Sequence, residues 1–298
     1  MAENILITGA GPRGITGRLI KEHFVGKYNL LTPSSSELDL TNDEAVRSFF
    51  DHHKVDYVIH CATFRPTSVH EGHFADEELE SNLRMFFALA AQSSRYKKMI
   101  YFGSGAEFDK SKPIIDVSEE EFGYSMPKNK YGLGKYIMNF HSKASSNIYN
   151  FRLFGTINQY ERFTKNVISN LCVKALKGLP LELRQDCRFS FVDINDIIPI
   201  IDYALTHELK YHDYNLAMKK SYLLSEVADI IMRLSGRSDG ISFSAKGFNL
   251  EYTASNQRII DELNPDLTPI EIAVERVYNY YDSIKDTIDI AEIDARWT

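Results

Sequence analysis

The sequence predicts an α/β fold, a doubly wound parallel sheet with a smaller mixed α/β lobe. Short β-rich runs alternate with helical patterns through the first half, a glycine-rich turn separates the first run from the first helix, and the order loosens past residue 155.

The elements follow in order. NILIT (4–8) leads to GRLIKEHFV (17–25), and YNLL (28–31) to NDEAVRSFFDHH (42–53). DYVIH (56–60) precedes the long DEELESNLRMFFALAAQSS (76–94), and KKMIYF (97–102) leads to KYGLGKYIMNFHSKAS (130–145). IYNFRLF (148–154) closes the series. Such alternation implies right-handed crossovers and helices on both faces of one sheet. Beyond it lie helical patterns at 162–178, 195–205, 223–236 and 268–285, with a strand-like LELRQDCRFSFVDI (181–194) among them. The expected division is 1–155 for the sheet domain, with a later strand near 188–206 returning to it, and 156–298 mostly for an interwoven second lobe. No internal repeat or low-complexity linker is evident.

Composition limits the function. Of 298 residues, 44% are apolar and 25% charged, as in ordinary globular chains, and the net charge of −7 argues against nucleic-acid binding. No run approaches the roughly 18 apolar residues of a membrane span. The start enters a strand without signal-peptide features. Cys61, Cys172 and Cys187 lack metal-type spacing and read as reduced thiols, which suits a cytoplasmic protein. His52, His53, His70 and His73 form no coherent ligand set, so no metal is expected.

In ILITGAGPRGITGRLI, Gly9, Gly11, Gly14 and Gly17 lie between strand and helix. A turn without side chains there lets backbone approach a pyrophosphate at the positive helix end, as in Rossmann-type folds; the bland alternative is a tight turn with no ligand. After the second strand, LLTPSSSELDL offers hydroxyls and no acid before Glu37. Arg13 could neutralise a 2′-phosphate, with Ser34 or Ser35 adding hydrogen bonds, which favours NADP over NAD. A serine cluster is also ordinary turn chemistry.

Two Tyr-x-x-x-Lys pairs occur close together, Tyr124 with Lys128 and Tyr131 with Lys135. Pro127 interrupts the first; the second opens an apolar helical stretch and is the better candidate. Ser104, in MIYFGSGAEF, stands at the end of the preceding strand, where open α/β sheets bind ligands. Serine, tyrosine and lysine together can protonate a carbonyl oxygen while hydride arrives at its carbon.

Here the chain resembles the extended short-chain dehydrogenase/reductases of the nucleotide-sugar epimerase/dehydratase/reductase type, over nearly its whole length. YGLGK is close to Y-G-x-S-K, with Gly134 in place of serine, and GSGAEF is similar to S-x-x-x-[YF]. CRFSFVDINDI resembles R-D-F-x-x-V-x-D, and YNLA resembles Y-N-[IVL]-[GA]; Asn82 starts the matching helical segment. GPRGITG and SSELDLTNDEAVRSFF look most like the GDP-fucose synthase branch, although two residues are inserted after Thr8-Gly9.

The resemblance implies that Tyr131 is the general acid/base, that Lys135 holds the nicotinamide ribose and acts on the phenol, and that Ser104 bonds the substrate oxygen. It places Gly9, Gly11, Arg13, Gly14 and Ile15 on the cofactor phosphates, Asp39 and Leu40 at the adenine side, and Cys61, Ala62 and Thr63 facing the cofactor. Arg188 would clamp the nucleotide diphosphate, with an ordinary salt bridge as its rival reading. Asp193 and Asp196 are better explained as helix caps. A homodimer through helix 75–95 and the Tyr131 helix is a further implication. The expected function is NADP-dependent reduction of a 4-keto, 6-deoxy nucleotide sugar. The alternatives are an NAD-dependent epimerase and a non-catalytic cofactor-sensing regulator. In the GDP-fucose synthase branch a cysteine and a histidine epimerise the sugar; Ala106 occupies the cysteine position, and NVISNLCVKALKG (166–178) has no histidine, with Leu176 near the expected place and Cys172 close by. Reduction without inversion at C3 or C5 is therefore expected.

Overall fold

The computed structural model describes residues 2–64 and 74–293. A six-stranded sheet runs in the spatial order Asn29–Leu31, Asn4–Thr8, Tyr57–His60, Lys98–Ser104, Ile148–Leu153 and Asp213–Leu216. Every neighbouring pair is parallel. The chain leaves the first strand to one side and returns on the other, so the crevice between Thr8 and His60 is a topological switch point.

Side-chain alternation builds the two layers. Ile5, Ile7, Ile59, Ile100 and Phe151 face one way, onto the helices Thr16–Phe24 and Ile194–Thr206. Leu6, Val58, Met99, Tyr101 and Ile148 face the other way, onto the helices Asp43–His52, Phe74–Ala90 and Lys130–Ala144. Because both faces are covered, the inner strands are buried along their whole length. Asn42 caps its helix, accepting from the amides of Glu44 and Ala45 at 3.0 and 3.1 Å.

The smaller lobe packs the helices Val167–Leu176, Leu224–Ser235 and Ile270–Ile284 around Leu171, Cys172, Val227, Ile231, Val274 and Val277. A mixed four-stranded sheet joins the lobes, in the order Tyr222–Leu223, Arg188–Phe189, Tyr252–Ala254 and Ile114–Val117.

The strand expected near 188–206 is a correction. Arg188–Phe189 joins the small sheet, Phe191–Asp193 pairs with Gly155–Ile157, and Ile194–Thr206 is a helix. Ile197, Ile201 and Leu205 recur at helical spacing and bury under the main sheet. The returning strand is Asp213–Leu216, paired with Ile148–Leu153. The large lobe therefore takes chain from both sides of residue 155.

Candidate active site

The glycine turn is built from close backbone contacts. Gly9 has φ of +68°, and a Cβ there would lie 2.8 Å from the Ala62 amide nitrogen. A Cβ on Gly14 would lie 2.0 Å from the Gly9 carbonyl oxygen, and one on Gly17 2.7 Å from it, while Gly11 meets nothing within 4 Å. So Gly9, Gly14 and Gly17 form the tight framework, and Gly11, Pro12 and Arg13 are exposed. Ile15 occupies the N-cap without a side-chain cap, and no acid stands in the first helical turn. This cradle fits a pyrophosphate: it offers amides and the positive helix end, with no side chain in the way.

Around the cradle, Arg13 is exposed and forms no hydrogen bond or ion pair among the described residues. Ser34 donates its amide and hydroxyl to Glu37 at 2.7 and 2.8 Å, and these bonds hold the Glu37 carboxyl below its ordinary range. Ser35 and Thr63 are exposed. Asp39 accepts from the amide and hydroxyl of Thr41 at 2.9 and 2.7 Å, whereas Leu40 is buried in the core. The amides of Cys61 and Ala62 both donate to Thr8 Oγ1 at 3.1 Å. With its lone pairs so used, the Thr8 hydroxyl donates to His60 Nδ1 at 2.9 Å. Burial, with Lys135 nearby, pushes His60 down to about 3, so its ring is neutral. Burial pushes the Cys61 thiol up.

Ser104 ends its strand and caps a short turn, Gly105–Phe108. Its amide donates to Glu107 Oε1 at 3.0 Å, and its Oγ accepts from the Ala106 amide at 3.2 Å. Glu107 is fully buried and takes Arg152 Nε at 2.9 Å. Arg152, also fully buried, donates to Asp213 at 3.1 Å and Asn215 at 2.8 Å. Burial holds the Glu107 carboxyl above its usual range, against the pull of Arg152. Asp213 is also pushed up by burial, but Arg152, Lys143 and Arg258 outweigh this and hold it low. The turn carrying Ser104 is thus anchored to two strands of the sheet.

The helix Lys130–Ala144 carries Tyr131 and Lys135 on one face; Asn129 caps it, accepting from the Gly132 amide at 2.7 Å. Gly132 lets that helix press on the serine turn: a Cβ there would lie 2.4 Å from the Ala106 carbonyl oxygen. Lys135 Nζ donates to the Phe102 carbonyl at 2.8 Å, below Ser104 on the same strand. Tyr131, Lys135, Gly134 and Met138 line a small cleft with Glu78, Leu79 and Asn82. Tyr124 is 82% exposed, in a turn before the helix. The helix packing thus brings Ser104, Tyr131 and Lys135 to the carboxyl end of the sheet, beside the glycine cradle.

Arg188 stands apart from this group. It is half-buried on the small sheet, bonded to the Ser221 carbonyl at 3.3 Å and 3.9 Å from Glu226. Asp193 caps its helix through Asn195 N at 2.8 Å and pairs with Arg276, while Asp196 accepts from Thr268. Cys172 is buried in the small-lobe core, and all three cysteines are free. No metal-ligand group occurs among the described residues; His70 and His73 lie outside them. No helix of the described chain is long and apolar enough to cross a membrane.

Thr8, His60, Glu107 and Arg152 join the site without having been expected there from the sequence. Glu107 carried a signal, since Ser104-x-x-Glu107 is a capping box. Arg152 carried another, as a charge inside the β-rich run IYNFRLF.

Comparison with known proteins shows the family and the fold. Residues 5–217 match the NAD dependent epimerase/dehydratase family. The chain is 24% identical over 257 residues to GDP-L-colitose synthase of Yersinia pseudotuberculosis, covering 78% of this chain and 82% of that one. Among solved structures, a GDP-L-fucose synthetase from Naegleria fowleri bound to NADP superposes with a TM-score of 0.80 at 18% identity, over 96% of this chain and 95% of that one. The GDP-mannoheptose C4 reductase MlghC of Campylobacter jejuni, with NADP bound, gives 0.79 at 18% identity, over 94% and 98%. WbmG of Bordetella bronchiseptica, in complex with NAD and UDP, gives 0.78 at 16%, over 96% of each. The chain belongs to the NAD dependent epimerase/dehydratase family, and it is an NAD(P)-dependent oxidoreductase.

Proposed function

We propose that this protein is an NADP-dependent reductase of a 4-keto-6-deoxy nucleotide sugar, with Tyr131 as the general acid at the sugar C4 oxygen. The observation that carries the proposal is the packing of the Tyr131 helix, through Gly132, on the turn that bears Ser104. NADPH, when bound, supplies the hydride. Gly9, Gly11, Gly14 and Ile15 hold its pyrophosphate, and Arg13 with Ser35 takes the 2′-phosphate. Lys135 keeps its bond to the Phe102 carbonyl and turns its remaining protons toward the nicotinamide ribose. Ser104 donates to the ketone oxygen, and Tyr131 passes its proton to that oxygen as the carbon is reduced. Arg188 lies on the small-lobe side and is assigned to the diphosphate.

Ala106 is buried and carries no exchangeable side-chain proton, which supports reduction without inversion at C3 or C5. The names of the relatives favour a GDP-linked sugar. The NAD and UDP in WbmG keep an NAD-dependent epimerase as the second reading.

The test is a panel of GDP-, UDP- and dTDP-4-keto-6-deoxy sugars with NADPH, following its oxidation. Tyr131→Phe should abolish turnover and keep NADPH affinity, and Tyr124→Phe should change little. A dead Tyr124→Phe variant or an active Tyr131→Phe variant overturns the assignment.

A further inference from the structure

We propose that Tyr252 is a positioning residue that makes Ser104 an obligate hydrogen-bond donor toward the substrate oxygen; the proposal rests on the Ser104–Tyr131 reading above. Tyr252 begins the strand Tyr252–Ala254 of the small sheet, 148 residues along the chain from Ser104, and is buried. Its ring packs on Phe154 and Phe189 at centroid distances of 4.9 and 5.2 Å, and Lys110 Nζ lies 4.5 Å from its centroid. A Cβ on Gly105 would lie 2.6 Å from its hydroxyl oxygen, so the phenol rests directly on the serine turn.

A buried phenol O–H requires an acceptor. Among the described residues, the hydrogen bond of this hydroxyl is to Ser104 Oγ, at 3.5 Å. A serine oxygen has two lone pairs and one proton. The Ala106 amide uses one lone pair at 3.2 Å; either hydroxyl of the Ser104–Tyr252 pair can donate by geometry, and we assign the donor role to Tyr252, whose proton then takes the other lone pair. The Ser104 proton is then left for a group outside this set. The substrate oxygen is an acceptor both as a ketone and as it gains negative charge, so a serine able only to donate stabilises the charge that develops there. Burial raises the Tyr252 phenol above its ordinary range, so it stays protonated in this role. Nothing in the local sequence EYTAS marks Tyr252, because only the joining of the two lobes brings it to Ser104.

The test compares Tyr252→Phe, Ser104→Ala and the double variant, with NADPH and GDP-4-keto-6-deoxymannose. Phenylalanine keeps the ring contacts and removes only the hydroxyl. Tyr252→Phe should lower kcat about tenfold, the value of one well-used hydrogen bond, and leave KM nearly unchanged. In the Ser104→Ala background the same change should have no further effect, because Tyr252 acts through Ser104. Effects that multiply in the double variant overturn the proposal. So does an unaltered kcat in Tyr252→Phe while Ser104→Ala is slow. A Tyr252→Phe chain that no longer binds NADPH makes the hydroxyl structural and overturns it as well. Full activity in Ser104→Ala would instead remove the functional reading on which the proposal stands.

Discussion

Replacing Gly132 with alanine pries apart a close contact between the Tyr131 helix and the turn that bears Ser104. The added methyl would lie 2.4 Å from the Ala106 carbonyl oxygen and 2.9 Å from Pro127 Cβ. Carbon–oxygen contacts settle near about 3.3 Å, so helix and turn must part by about 0.9 Å. The turn is held by the Ser104–Glu107 bonds and the buried Arg152, so the helix is the side that gives. Tyr131, the adjacent residue, moves with it. A misplacement near 1 Å costs on the order of a hundredfold in rate. Alanine also gains about 0.8–1 kcal/mol of helix propensity over glycine, which offsets part of the strain in stability. Gly134→Ala is the control: its Cβ meets only Leu79 Cδ1, at 3.2 Å, the end of a flexible side chain. Steady-state NADPH oxidation, read with a thermal melt of each variant, should show kcat collapsing in Gly132→Ala alone. A Gly132→Ala enzyme with the parental kcat would refute the claim that this contact sets the catalytic geometry.

Three further outcomes follow from the same structure. Arg152→Met leaves Glu107 and Asp213 buried without their shared cation and should cost about 3–5 kcal/mol at pH 7.5. The Glu107 carboxyl, already raised, would rise further; a raised carboxyl destabilises as pH climbs above its unfolded value, so part of the loss should return at pH 5, and equal losses at both pH values would contradict this. Calorimetry should find NADPH bound more tightly than NADH, with Arg13→Ala removing much of the difference; equal affinities in the parent would revive the epimerase. We also propose a homodimer through the helices Phe74–Ala90 and Lys130–Ala144, where Phe140 is 67% and Phe87 37% exposed. Phe140→Glu should then yield a monomer by light scattering, and a parent that is monomeric at micromolar concentration would rule the dimer out.

The sheet was legible because most of its strands fall in short β-rich runs separated by amphipathic helices, a pattern local to each segment. The helix that carries Tyr131 and Lys135 was legible for the same reason, since Pro127 and the spacing from Tyr131 to Lys135 are both local. The returning strand was not: Asp213–Leu216 is four residues long and half polar, and its burial follows from Arg152 and Arg258 holding Asp213. The glycine turn was legible in kind only. The sequence puts Gly9, Gly11, Gly14 and Gly17 in one turn, but backbone crowding falls on Gly9, Gly14 and Gly17 and leaves Gly11 open. Tyr252 and the Glu107–Arg152–Asp213 chain depend on contacts across 45 to 148 residues, which no local pattern encodes.

The most direct test of the account is the reaction in deuterated water, with NADPH and GDP-4-keto-6-deoxymannose, analysed by NMR and mass spectrometry of the product. Reduction by Ser104, Tyr131 and Lys135, with alanine at position 106, should consume one NADPH per product. It should place no carbon-bound deuterium at C3 or C5 beyond an enzyme-free control. Deuterium incorporated by the enzyme at either carbon, or product formed without net NADPH oxidation, would contradict it.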